Sequence, residues 1–147
     1  MTKRIILILP ILFFLNCSVQ AKRAVQTGKY SYIKWTQLEV AWLSVTKGIH
    51  HFFVGSELIL NPDSTFKYKT CGNLMTGYWK CKNDSLLLLA KTNRWRSDSL
   101  NKYGYHGKWP KVPANPFVLV NKVKYLELIE TFDNGEKGIQ RLKFTVP

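Results

Sequence analysis

The chain has 147 residues, with 22 Lys or Arg against 9 Asp or Glu, a formal net charge of +13, and 14% aromatic side chains. That aromatic content, without any low-complexity tract, excludes a disordered polycation unable to bury a core. The length suits one domain with one core and leaves no room for two comfortable ones.

Lys3 and Arg4 precede an apolar run over residues 5–15. A short apolar core behind positive charge fits a signal peptide and is too short for a transmembrane helix. The chain is therefore expected to be exported to the cell envelope. Export removes it from nucleic acid, which the basic balance alone would otherwise suit.

Two cleavage sites follow. A cut before Cys17 would fit the bacterial lipoprotein pattern, an apolar stretch ending in a small or polar residue and then Cys, here Phe14, Leu15, Asn16 and Cys17. Cys17 would then carry a lipid and anchor the protein to a membrane facing the periplasm. A cut after Ala21 would obey the small-x-small rule at Val19, Gln20 and Ala21 and release a soluble periplasmic protein. The apolar core ends directly before Cys17, which favours the anchor. The expected organisation is a signal peptide at 1–16, a flexible tether at 17–28 and a single β-barrel domain at 29–147.

Residues 30–47 read two ways. Trp35, Leu38, Trp42 and Val45 fall at helical spacing, which would give a short N-terminal helix, yet the Trp, Val and Thr content suits half-buried strands. From residue 57 the pattern is strands and turns. Residues 57–61 run into Pro62, Asp63 and Ser64, where Pro presets φ and Asp bonds the backbone beyond it. Residues 65–70 alternate, with Phe66 and Tyr68 on one face and Lys67 and Lys69 on the other. Residues 77–82 and 86–89 flank a two-residue turn at Asn83 and Asp84. Residues 117–120, 123–132 and 139–146 read as further strands, the last two joined at Asp133, Asn134, Gly135 and Glu136, the strongest hairpin turn in the chain. Short strands at regular spacing predict an all-β sandwich or barrel.

The segment 58–89, with a D-x-T-F-x-Y strand at 63–68, Gly77-Tyr78-Trp79 and then D-x-L-x-L at 84–88, resembles the core of small lipocalin-like lipoproteins of bacterial envelopes. The resemblance implies an antiparallel up-and-down barrel of about eight strands, often carried on a lipidated Cys and of unassigned ligand.

The remaining chemistry is sparse. Cys71 and Cys81 are the cysteines left after either cut, and an oxidising compartment favours pairing them; alternation puts them on opposite faces, so a disulfide would need a bulge at Gly72 or Gly77. His50 and His51 are adjacent and in a strand point to opposite faces, while His106 is distant, so no metal site is expected. Two Ser-x-x-Lys matches, Ser44 with Lys47 and Ser99 with Lys102, lack the companion motifs of a serine acyl-enzyme site. No cofactor is expected, and no catalytic constellation is found.

One segment stands out. Residues 92–115 are long for a connection and carry Arg94, Trp95, Arg96, Tyr103, Tyr105, Lys108 and Trp109, with Asp98 the lone acid. Long ordered loops are often binding loops, and aromatic faces beside cations suit sugar rings or anionic head groups. These seven residues are the expected ligand site of a noncatalytic binding module for an amphipathic or anionic ligand, a lipid or glycan. The alternative is an accessory subunit whose Lys67, Lys69, Lys80 and Lys82 hold an acidic protein partner.

Overall fold

The computed structural model describes residues 24–105 and 108–145. The expected signal peptide, Cys17 and His106 lie outside the described residues. The elements are β1 (Gly28–Tyr32), α1 (Gln37–Lys47), β2 (Ile49–Phe52), β3 (Glu57–Leu60), β4 (Thr65–Lys69), β5 (Asn73–Lys82), β6 (Ser85–Trp95), α2 (Asp98–Tyr103), β7 (Phe117–Asn121), β8 (Leu126–Thr131) and β9 (Lys137–Thr145).

All strands but β2 form an antiparallel meander in the order β1-β3-β4-β5-β6-β7-β8-β9. The meander closes when β9 pairs with β1, from Lys29 opposite Thr145 to Tyr32 opposite Leu142. The result is a closed eight-stranded barrel, one of the two architectures that the strand spacing allows and the one that the resemblance implies. Closure removes the free edges that an open sheet would expose.

The turn chemistry works as the sequence implies. Asp63 Oδ1 accepts from the Thr65 amide at 3.0 Å, Asn83 takes a left-handed φ of 53° between β5 and β6, and Gly135 takes 81° between β8 and β9. Side chains then alternate. Leu58, Leu60, Phe66, Leu86, Leu119 and Leu142 are each no more than 2% exposed and fill the barrel interior. An extra residue on β6 opposite Thr76 and Gly77 makes a bulge. Gly77 is required there, because a Cβ would collide with the Leu89 carbonyl oxygen.

The ambiguous stretch 30–47 resolves into both readings, a strand followed by a helix. Thr36 caps α1 in a reciprocal box, accepting from the Glu39 amide while Glu39 Oε2 accepts from the Thr36 amide. The predicted apolar stripe is not the packed face: Leu38 is 80% and Val45 87% exposed. The helix instead buries Leu43 with Ile49 and Ile139 on the outside of β9, flanked by Trp35 and Phe52. β2 then pairs in parallel with the first residues of β9, the part of that strand that β1 leaves uncovered.

Candidate functional site: the open end of the barrel

Each end of the barrel carries a cavity, and the two differ in their walls. The one beside the 122–125 turn, about 770 Å³, is lined by residues 24–26, Tyr30, Tyr125 and Phe144 together with Lys124 and Lys143. At the end holding the turns at 61–64, 83–84 and 122–125, Val25 packs against the core. Tyr30 there donates to the Gln26 carbonyl at 2.8 Å and accepts from the Gln26 amide at 3.0 Å. At the other end a second, smaller cavity of about 400 Å³ enters the barrel among inward-facing polar side chains, a size within the usual range for small-molecule sites.

Its walls are mixed. Phe53, Val54, Met75, Pro113, Phe117 and Leu128 supply apolar surface, while Ser56, Tyr68, Asn93, Glu130 and Gln140 supply polar atoms. Among the described residues, no Lys, Arg or His lines it. Strand register explains the arrangement. Tyr68 stands opposite Met75, and Met75 opposite Asn93, so β4, β5 and β6 present three inward side chains at one level. Across the lumen Gln140 pairs with Leu128, and Glu130 lies two residues farther along β8, a diagonal neighbour on the same face.

The polar atoms are only partly satisfied. Tyr68 donates its hydroxyl proton to Gln140 Oε1, a bond across the lumen between two residues that line the cavity. Gln140 is 1% exposed, and its Nε2 has no partner. Asn93 donates through Nδ2 to the Lys111 carbonyl at 2.8 Å, which fastens the 96–116 segment to β6. Its Oδ1 is likewise buried and unpartnered. Burial pushes the Glu130 carboxyl above the ordinary carboxylate range. Burial, then the nearby Glu130 charge, raises the Tyr68 hydroxyl. Unpartnered buried groups of this kind cost about 1–3 kcal/mol each, so their convergence on one cavity calls for an explanation.

The seven residues expected to bind ligand sit beside this cavity, and none of them lines it. Arg94 and Trp95 belong to β6, so the 92–115 segment is strand, helix and loop rather than one long connection. Asn101 on α2 braces the strand end, accepting from the Trp95 amide at 2.8 Å and donating to the Trp95 carbonyl at 2.7 Å. Trp95 meets Tyr105 edge to face at 6.2 Å, and Trp109 donates to the Asn101 carbonyl. Tyr103 lies under Lys102. Tyr105 and Lys108 form a single bridge instead of the strand that their alternation suggests. Arg96 reaches the mouth, donating to the carbonyl of Thr70, a cavity residue, at 3.2 Å. Arg94, Arg96 and Lys108 are exposed. The segment is thus a basic, aromatic collar on the β6 side of the opening.

The other sequence candidates separate. Cys71 and Cys81 are free thiols. Cys71 sits in the β4–β5 turn at the open end, donating to the Val54 carbonyl, whereas Cys81 lies at the far end of β5. A strand length between them forbids the disulfide, because no bulge can shorten that path to the roughly 6 Å between Cα atoms that a bridge needs. His50 and His51 are exposed on β2, with His51 at 2.7 Å from Glu136, and no metal-ligating cluster occurs among the described residues. The serines of both Ser-x-x-Lys matches bond elsewhere, Ser44 to the Ile49 carbonyl and Ser99 to Ser97. Lys67, Lys80 and Lys82 are exposed, while Lys69 is held by Glu57 at 2.9 Å. These four lysines spread along the sheet with exposed Tyr78 between them, rather than gathering in one patch.

Glu130 and Gln140 carry a signal that the sequence reading passed over. Glu130 is in phase with Leu126 and Leu128, and Gln140 with Leu142 and Phe144, so both are polar residues at inward positions. No protein-family model, no curated protein and no solved structure matches this chain.

Proposed function

We propose that this protein is a noncatalytic, lipocalin-like binding module of the cell envelope, anchored to the membrane by a lipid on Cys17, that holds an amphipathic ligand at the open end of its barrel. The observation that carries this reading is the cavity with apolar walls beneath the basic collar. Phe53, Met75, Phe117 and Leu128 offer a ligand's apolar surface a place out of water. Arg96 at the mouth, with Arg94 and Lys108 beside it, suits an anionic group left outside.

Native mass spectrometry of the protein extracted gently from envelopes tests both halves. The expected species begins at an acylated Cys17 and carries a noncovalent adduct, which is lost when Met75→Trp fills the cavity. A chain beginning at Lys22 would sink the anchor. An adduct unaffected by Met75→Trp, or no adduct, would sink the cavity as its site.

A further inference from the structure

Glu130 on β8, Gln140 on β9 and Asn93 on β6 face one lumen from three strands, and their hydrogen-bonding needs define what fits among them. Gln140 Nε2 is a buried donor lacking an acceptor, and Asn93 Oδ1 a buried acceptor lacking a donor. The Glu130 carboxylate makes no hydrogen bond or ion pair with a described residue, and among the described residues no cation lines the cavity to balance it.

Each simple ligand group fails at one of these positions. An ammonium donates but cannot accept from Gln140. A carboxylate or phosphate cannot donate to Asn93 and is opposed by Glu130. An alkyl chain leaves all three groups without partners. A primary amide has the right number of donors and acceptors, but they lie together in one small plane, while the protein groups are spread around the lumen. Several hydroxyls on a carbon frame meet every demand, because each can donate and accept, and the C–H faces between them pack on Phe53 and Phe117.

We infer that the cavity admits the neutral polyhydroxyl end of its ligand, a sugar ring or a glycerol, with any anionic group remaining outside at Arg96. The inference deepens the binding reading above and rests on it. Gln140 and Asn93 then bind the hydroxyls directly, and Tyr68 positions Gln140 by fixing which end of its amide faces the lumen.

The test follows the side-chain amide NMR signals of Gln140 and Asn93 in the full chain, kept in dodecylphosphocholine, whose head group has no hydroxyl. Octyl glucoside, octyl sulfate and octanamide are titrated below their micellar concentrations. Octyl glucoside is expected to shift both signals, and Gln140→Met or Asn93→Ala to weaken its binding at least tenfold. Using both variants guards against loss of fold in either one. Glucose binding as well as octyl glucoside would support the inference with a free saccharide as the source. Binding of monooctanoylglycerol and octyl glucoside without glucose would support it with a lipid head group as the source. Octyl sulfate or octanamide binding as tightly as octyl glucoside, or variants that bind octyl glucoside unchanged, would overturn the hydroxyl assignment and leave the cavity as a binding site. No binding by any probe would overturn both.

Discussion

Tyr68 and Gln140, 72 residues apart in sequence, meet across the lumen through a hydrogen bond from the phenol to the amide oxygen. The bond satisfies one end of a buried amide and leaves the other, on a residue that lines the cavity, without a partner. Removing the phenol leaves both ends of that amide unpartnered, so Tyr68→Phe is expected to cost about 1–3 kcal/mol. Replacing both residues, as Tyr68→Phe with Gln140→Met, removes donor and acceptor together and is expected to recover part of the loss. Urea midpoints for the two single variants and the double variant give the coupling. Strictly additive losses would show that the bond does not link the two walls.

Glu130 supplies a pH dependence. Its folded-state pKa lies above the ordinary carboxylate value because of burial. Between those two values the folded chain keeps a proton that the unfolded chain has released, so stability falls as pH rises through the window. The penalty is complete above the folded value and absent below the unfolded one. Glu130→Gln is therefore expected to be more stable than the parent at neutral pH, with the gap closing near pH 4. Melting temperatures at both ends of that range check the sign, and a gap that widens on acidification would contradict it.

Among the glycines of the barrel strands, Gly77 is the most closely approached. A methyl at this residue would meet the backbone of Leu89 and Ala90 across the bulge, with no flexible side chain to give way. Gly77→Ala is expected to cost more than about 3 kcal/mol, as other core overpacking does at its upper end. Loss of the cooperative urea transition, or a large fall in its midpoint, is the expected readout.

The cap of α1 acts locally. Thr36→Ala removes the hydroxyl that accepts from the Glu39 amide and is expected to cost about 1 kcal/mol. Hydrogen exchange should quicken at Glu39 and Val40 while the amides of β5 and β6 keep their protection. The outward face of the same helix should tolerate change. Leu38→Ser, at a residue 80% exposed, is expected to shift stability by less than about 0.5 kcal/mol.

The strands and turns of the barrel were legible in the sequence because their signals are local. A two-residue alternation fixes which side chains face inward, and Asn83, Asp84 and Gly135 fix where the chain reverses. The stretch 30–47 was not, because helical spacing states a period and not which face is packed. That was settled only when the outside of β9 offered Ile139 to Leu43. The basic aromatic collar could be read from residue types alone, and its place beside the opening could not.

The inward phase of Glu130 and Gln140 was likewise written in the alternation of β8 and β9. What they face was decided by closure of the barrel, since register within a strand says nothing about the opposite wall. Only when β9 paired with β1 did Tyr68, on a strand formed early in the chain, come to lie against Gln140 near its end. A local period can specify a wall, but a cavity exists only between walls that long-range pairing has brought together.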